Sequence, residues 1–402
     1  NDFKPYIILT NDYGENWKII TNENGIPADH FVRTIAEDPA RKGLLYAGTE
    51  FGAYVSFDDG SSWNSLQMNL PHVPITDMEV TQNDLAISTQ GRGFWILDKI
   101  NILQDIHLVK DKPFLFSPED AIRTNLRGGR WSTGISFEND ISFYLPEDYN
   151  FEDVNLYIKD SEGNIVINFK ERTEYLYDVD YDDEKVYSGT HTFHWDLEHK
   201  EPQIQKDFIS MYYSAERGNG PLAIPGTYTV ELQILNSVFR KPLIVKMDPR
   251  WNISIQDLES QFDISSKVVT LINESQEKLN EMRGIIDQIN KFITLTVGKE
   301  FHNDVKSLGN PIIESIKNIE ENLYQNKIET SQDEINYSRK WTNHITHLYD
   351  RLTTDDQAPN DGMGRRFDEL NTNYKNIIGP YDKIINENLS VFTKFSQEKG
   401  AM

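Results

Sequence analysis

The sequence contains no cysteine. Disulfide frameworks, thiolate zinc sites, iron–sulfur clusters and cysteine nucleophiles are therefore excluded. It also contains no run of 18 apolar residues, so it predicts no membrane-spanning helix. Positive charge is scarce, because 40 Lys and Arg stand against 64 Asp and Glu, a formal net charge of −24 over 402 residues. Such an acidic chain disfavours nucleic acid and anionic membranes as partners.

One motif occurs twice. The pattern (Ser/Thr)-x-Asp-x-Gly-x-x-Trp fits Thr10–Trp17 and, 46 residues later, Ser56–Trp63. We expect two hairpin turns in which the Asp accepts backbone hydrogen bonds, the Gly adopts positive φ and the Trp folds back over the turn. A period of about 40 to 50 residues with several short strands is typical of propeller blades.

The blades are too few to close a ring. Strand-like runs at Phe31–Ile35, Leu44–Ala47 and Ile75–Val80, with others up to Leu97, supply two to three blades, whereas a propeller needs about four to eight. Open sheet edges would expose unpaired hydrogen-bonding groups. We therefore expect the remaining blades upstream in the same polypeptide, and this chain to be the C-terminal portion of a larger protein without an export signal of its own.

The rest of the chain changes from strands to helices. The sequence predicts a multidomain protein, β then α: partial Asp-box β-propeller blades over 1–106, an immunoglobulin-like β-sandwich over 107–250 and an antiparallel helical bundle over 251–402. A Ser254 and Asp257 capping box is expected to open a helix of about 40 residues. Asn310-Pro311 is expected to open a second helix, and Gly379-Pro380 to break the last one.

These features resemble a known family. The repeated motif is the Asp-box, or BNR repeat, and the segments Gly43–Gly52 and Gly91–Asp98 resemble the bacterial sortilin-like, or BNR-repeat glycosyl hydrolase-like, propeller proteins. The resemblance implies propellers followed by an immunoglobulin-like module and a helical region, in a periplasmic, cell-surface or secreted protein. The cysteine-rich module of eukaryotic sortilins is missing, so its mode of ligand capture is not implied. No catalytic residue of the family corresponds to a position here.

The predicted blades contain several carboxylates that are candidates for a catalytic pair. Glycosidases need two carboxyl groups about 5 to 10 Å apart across the sugar. The candidates in the blades are Glu37, Asp38, Glu50, Asp58, Asp59 and Asp77. Asp12 and Asp58 occupy structural turn positions, and neighbouring acidic residues are expected in so acidic a chain. We therefore predict no catalytic residue.

Metal and cofactor sites are not predicted either. The acidic run Asp178–Glu184 lacks an EF-hand pattern, because Asp183 and Gly189 stand where that loop needs Gly and Glu. A solvated loop is favoured over weak calcium binding. His344 and His347 lack the Glu of a zinc-protease motif, so they are interpreted as exposed or interfacial. The basic segment Arg127–Trp131 is expected to be a flexible loop.

Three functions remain open, the weakest of which is an assembly factor for another complex. The favoured prediction is an exported, non-catalytic binding or scaffold protein that engages a protein or glycan partner. The alternative is a glycoside hydrolase whose catalytic cleft lies in upstream blades. The sequence does not decide whether the protein is an enzyme, and it indicates no cofactor.

Overall fold

The structure, a computed structural model, describes residues 3–21, 23–124, 139–171, 179–182, 184–210 and 219–399. The described residues form two compact units. The first contains those within Asn1–Ala121, Glu138–Trp195 and Thr227–Ile244. The second contains those within Ile122–Phe137, Asp196–Gly226 and Val245–Met402.

The longest strands of the described residues lie beyond the first hundred residues. In chain order they are β1 (Ile8–Leu9), β2 (Lys18–Ile19), β3 (Val32–Glu37), β4 (Leu45–Thr49), β5 (Gly52–Ser56), β6 (Asn64–Ser65), β7 (Ile75–Val80), β8 (Leu85–Thr89), β9 (Phe94–Leu97), β10 (Phe114–Leu115), β11 (Ala121–Arg123), β12 (Asn139–Leu145), β13 (Tyr149–Asn150), β14 (Val154–Lys159), β15 (Ile165–Asn168), β16 (Lys185–Val186), β17 (Gly189–Trp195), β18 (Gly226–Ile234) and β19 (Ser237–Met247).

The Asp-box region consists of small antiparallel sheets that follow one another along the chain. β1 pairs with β2, β3 to β6 form a four-stranded meander, and β7 to β9 form a three-stranded one. The last two sheets pack closely, because Gly48 in β4 has no side chain. A Cβ at Gly48 would lie 2.5 Å from Ile75 Cγ2 on β7. The predicted strands thus form consecutive antiparallel meanders, and their identity as propeller blades and the closed ring both stay predictions.

Two larger sheets follow in the first unit. One has the order β10, β12, β17, and the other contains β19, β18, β14 and β15 in that order. Trp195 of β17 contacts Tyr228 of β18, with ring centroids 5.6 Å apart in an edge-to-face arrangement. Aromatic contact between residues of two sheets is typical of a sandwich core. The immunoglobulin-like class stays a prediction.

Helices dominate the second unit, which confirms that the chain runs from β to α. The helices of the chain are α1 (Asn101–Asp105, in the first unit), α2 (Ile255–Leu295), α3 (His302–Leu323), α4 (Trp341–Thr353), α5 (Asp361–Ile378), α6 (Tyr381–Lys383) and α7 (Ser390–Glu398). A π-helical turn, Ile384–Leu389, joins the last two. Buried aliphatic and aromatic residues from α2 to α7 share one core. No helix in the described ranges is long and apolar enough to cross a membrane.

The predicted helix ends are partly correct. Ser254 caps α2 by accepting a hydrogen bond from the Asp257 N–H at 3.1 Å, and α2 is 41 residues long, as expected. Near the end of the chain, α5 ends at Ile378 and α6 begins at Tyr381, so the helix break predicted at Gly379-Pro380 is confirmed. The prediction that Asn310-Pro311 opens a helix is wrong, because α3 begins at His302 and Pro311 lies inside it. The buried Val305, one of the core residues upstream of the proline, explains why the helix extends through it.

Candidate functional site

The first Asp-box folds as its residues predict. Gly14 has φ of 95°, and Tyr13 before it also has positive φ. Thr10 Oγ1 accepts from the Gly14 N–H at 2.8 Å, and Asp12 Oδ1 accepts from the Asn16 N–H at 2.9 Å. Trp17 folds back over the turn and donates from Nε1 to the Gly14 carbonyl at 3.0 Å. Hydrogen bonds to the Asp12 carboxylate from the backbone and side chain of Asn16, and from the Thr10 hydroxyl, hold the pKa of Asp12 below its usual value.

The second Asp-box has the same turn but a different partner for its tryptophan. Asp59 and Gly60 have positive φ, and Asp58 Oδ1 accepts from the Ser62 N–H at 2.8 Å. Trp63 Nε1 donates to the carbonyl of Ile20, at 3.0 Å, instead of to its own turn. The indole is buried with Ile7, Ile20 and Ile26 in a core cluster. The second box is therefore packed on the segment that follows the first.

The predicted glycosidase candidates are occupied by structural contacts. Asp38 is buried and accepts from the backbone N–H groups of Ala40 and Arg41. Glu50 pairs with Arg33 at 2.5 Å. Two of the remaining candidates accept hydrogen bonds from nearby backbone: Asp58 closes its turn, and Asp77 accepts from the Met78 N–H. Asp59 donates its N–H to the Gly43 carbonyl, and Glu37 is exposed at the end of β3. None of these contacts forms a catalytic pair.

The other predicted motifs do not form a metal centre within the part of the chain that is described. Arg127–Trp131 lies outside the described residues, as do Asp178 and Asp183 of the acidic run. Asp182 of that run accepts from the backbone N–H groups of Glu184 and Lys185 and so closes a turn. His344 and His347 are half-buried, and no group of three possible metal ligands occurs among the described residues.

A cavity of about 330 Å³ in the first unit is the strongest candidate site. Its volume lies at the lower end of the range of small-molecule sites, about 300 to 1,000 Å³. The lining contains both apolar and polar residues. The apolar ones are Met68, Leu97, Ile100, Ile102 and Leu103, and the polar ones are Asp98, Lys99, Asn101, Glu119, Asp120, Asn139, Asp140, Ser142 and Thr192.

Pairing of β12 with β17 positions part of the polar lining of the cavity. Asp140 lies opposite His194, and Ser142 lies opposite Thr192. Alternate residues of a strand point to the same face, so these pairs share the face opposite the buried Ile141 and Phe143. The Ser142 and Thr192 hydroxyls are 2.9 Å apart, and Asp140 Oδ1 lies 2.6 Å from His194 Nδ1.

Charge in the cavity centres on Asp140 and Glu119. Asp140 Oδ2 is 2.5 Å from the Nζ of Lys99, which lies between β9 and α1. Glu119 is different, because its Oε1 is buried and has no hydrogen-bond partner among the described residues. Burial, together with the negative charges of Asp84 and Asp140, raises the pKa of Glu119 to about 7 despite the opposing charge of Lys99. One carboxyl group is ion-paired and the other readily holds a proton near neutral pH.

Sequence reasoning missed all of these cavity residues. Lys99, Glu119 and Asp140 are separated by about 20 residues each and form no short motif. The one signal was the strand alternation at Asp140–Tyr144, which places Asp140 and Ser142 on the same face. Knowing that this face lines a cavity also required the pairing partner, β17, which begins nearly 50 residues later.

Comparison with known proteins supplies no relative. No protein-family model matches the chain, and no curated protein matches it.

Proposed function

We propose that the chain is part of an exported, non-catalytic binding or scaffold protein of the sortilin-like, Asp-box propeller type. It binds a glycan in the cavity of the first unit, and further propeller blades, upstream in the same polypeptide, complete its β part. Its location is extracytoplasmic: the periplasm, the cell surface or the medium. The cavity carries the functional claim.

The cavity lining suits a sugar. The aliphatic side chains of Leu97, Ile102 and Leu103 offer an apolar surface to the C–H face of a sugar ring. The carboxylate, amide and hydroxyl groups of the same lining are the acceptors and donors that vicinal hydroxyls require. The buried Glu119 Oε1 has no hydrogen-bond partner among the described residues, and a ligand hydroxyl would provide one.

The two tryptophans support the further blades. Trp63 is 4% exposed because the segment after the first Asp-box covers it, whereas Trp17 is 64% exposed. Ile8 and Ile19, on the paired strands β1 and β2, are exposed as well. A preceding blade would cover these side chains as the first box covers Trp63. Exposed apolar residues grouped in this way mark an interaction surface.

A pair of isoleucines allows a controlled test of glycan binding. Ile102 lines the cavity, while Ile106, four residues later, is exposed outside the cavity lining. The wild-type chain, screened on immobilised glycans, is expected to bind a neutral oligosaccharide. Ile102→Trp should fill the cavity and weaken that binding at least about tenfold, whereas Ile106→Trp should not change it. A screen without binding, or equal affinities of the two variants, would refute the proposal.

A second candidate function is glycoside hydrolysis, and the carboxyl groups of Glu119 and Asp140 in the cavity favour it. Hydrolases use one carboxyl group that holds a proton and a second that is ionised. The pKa of Glu119 is raised to about 7, and Asp140 is paired with Lys99. Release of reducing sugar by the wild type, lost in Glu119→Gln while glycan binding persists, would establish the enzyme. Binding without turnover in the wild type would favour the non-catalytic role.

A further inference from the structure

The helical unit contains a groove whose charge is opposite to that of the whole chain. It has a volume of about 740 Å³ and lies between α3, the start of α4, and α5. Arg339, Lys340, Arg366 and His344 line it, and none of its described lining residues is Asp or Glu. In a chain with 64 acidic residues, a lining without a carboxylate is an unusual local composition.

The positive groups are held close together by a rigid base. Trp341 is buried and donates from Nε1 to the Leu370 carbonyl at 2.8 Å, which fixes the start of α4 against α5. Lys340 precedes Trp341, and Arg366 lies one turn before Leu370. Burial lowers the pKa of His344, and the charges of Arg366 and Arg339 lower it further. Those charges therefore converge on the same region.

The ion pairs in the groove leave room for a ligand. Arg366 pairs with Glu369 at 3.1 Å, but both side chains are largely exposed, at 41% and 62%. An exposed pair of this kind contributes little and exchanges readily with another anion. Arg339 is more firmly engaged, since it lies 3.5 Å from the buried Glu334. The cations available to a ligand are thus mainly Lys340 and Arg366.

Amide groups line the rest of the groove. Asn318 and Asn322 lie one turn apart on α3, and Asn373 and Asn376 lie one turn apart on α5. Side chains at these spacings share a helix face. An amide both donates and accepts, which suits the hydroxyl groups of a sugar. Arginine clusters also recognise acidic peptide motifs, and the four asparagines are what favours a sugar over a peptide here.

We propose that this groove binds an acidic oligosaccharide, with Arg366 and Lys340 holding the sugar carboxylates and the asparagines holding hydroxyls. This is a second site, separate from the cavity of the first unit, and it does not depend on the function proposed for that cavity. Guanidinium groups bind carboxylates through short charge-assisted hydrogen bonds, which gives the arginine the greater share of the selectivity.

The test uses the full chain and an oligogalacturonate hexamer. Calorimetric titration should show binding that weakens as salt is raised, and the fully methyl-esterified hexamer should bind at least about tenfold more weakly. Lys340→Gln/Arg366→Gln should lose at least about tenfold in affinity. Arg365→Gln/Lys375→Gln removes the same charge from exposed residues of α5 outside the lining, and it should change affinity less than about twofold.

Each other outcome overturns the proposal. Equal binding of the esterified hexamer would show that the carboxylates are not recognised. Equal losses in the two double variants would mean that net charge, not the groove, attracts the ligand. Tighter binding of poly-glutamate or single-stranded DNA than of the hexamer, lost in the groove variant, would assign the groove to an acidic peptide or a nucleic acid. Circular dichroism of each variant shows whether the helices are intact.

Discussion

The two Asp-boxes share a turn and differ in what covers it. In both, a serine or threonine hydroxyl accepts from the glycine N–H, and the aspartate carboxylate accepts from the backbone N–H of the residue just before the tryptophan. Yet Trp17 contacts its own turn and is exposed, whereas Trp63 reaches Ile20 and is buried. The motif therefore determines the turn, and the neighbouring segment determines the burial of the tryptophan.

This difference separates local from nonlocal stabilisation. Asn24 donates from Nδ2 to the Gly60 carbonyl at 2.9 Å, and Trp63 donates its backbone N–H to the Asn24 carbonyl at 2.8 Å. Contacts of this kind join the second turn to the segment that follows the first. The first turn contains the same internal hydrogen bonds, and its tryptophan remains exposed. The same substitution in the two boxes should thus have unequal effects.

Trp63→Ala should have the largest effect. Truncation leaves a cavity beside Ile7, Ile20 and Ile26 and removes the Nε1 hydrogen bond, so we expect the free energy of unfolding of the first unit to fall by about 3 to 5 kcal/mol. Urea unfolding followed by near-ultraviolet circular dichroism measures it. A loss under about 1 kcal/mol would show that the second box is not packed as described.

The glycines of the two turns should also be unequal. A Cβ at Gly60 would lie 2.4 Å from Ile20 Cδ1, whereas a Cβ at Gly14 would make ordinary contact, 3.5 Å, with the Trp17 ring. Both glycines have positive φ, so both substitutions strain the backbone. We expect Gly60→Ala to cost roughly 2 to 4 kcal/mol and Gly14→Ala about 1 kcal/mol. Equal losses of unfolding free energy in the two variants, measured by urea unfolding, would contradict the difference in packing around the two glycines.

The carboxyl groups of Asp58 and Glu119 should make stability depend on pH in opposite ways. Burial opposes ionisation of Asp58, but hydrogen bonds from Ser62 and Ser56 outweigh it and keep the pKa of Asp58 below its usual 3.8. Its contribution to stability is present above that value and is lost only as the pH falls through the lower, folded-state pKa. Glu119 has the opposite behaviour, because its pKa is raised from 4.5 to about 7.

Glu119 should make the first unit less stable as pH rises. Between pH 4.5 and about 7 the folded chain keeps a proton that the unfolded chain has lost, so stability falls across that window and remains lower above it. Glu119→Gln should remove the fall and stabilise the unit by about 1 to 2 kcal/mol at pH 8. Parallel thermal melts at pH 5 and pH 8 measure it, and equal pH dependence in the two proteins would contradict the burial of Glu119.

Trp17→Ala should have the smallest effect. The indole is exposed and its one described hydrogen bond is to its own turn, so we expect a change below about 1 kcal/mol in the free energy of unfolding. The same urea experiment as for Trp63→Ala measures it. A loss as large as that of Trp63→Ala would mean that Trp17 is buried in the chain alone.

Local features were predictable from the sequence, and contacts between distant residues were not. The glycine and aspartate geometry of both turns and the Ser254 cap follow from residues within a few positions of one another. The helix start predicted at Pro311 was wrong, because the preference of proline for the first helical position stabilises less than the burial of nearby residues such as Val305. Ile20 as the partner of Trp63, and the meeting of Lys99, Glu119 and Asp140, depend on chain folding over tens of residues.

The central claim is that Trp17 marks a face that receives a further blade, and hydroxyl-radical footprinting read by mass spectrometry tests it most directly. Oxidation rates of Trp17 and Trp63 are measured in the 402-residue chain alone and in the protein isolated from its native source, with the half-exposed Trp251 as a reference. The account predicts that Trp17 is oxidised rapidly in the chain alone and is protected to the level of Trp63 in the native protein. Equally rapid oxidation of Trp17 in both samples would contradict it.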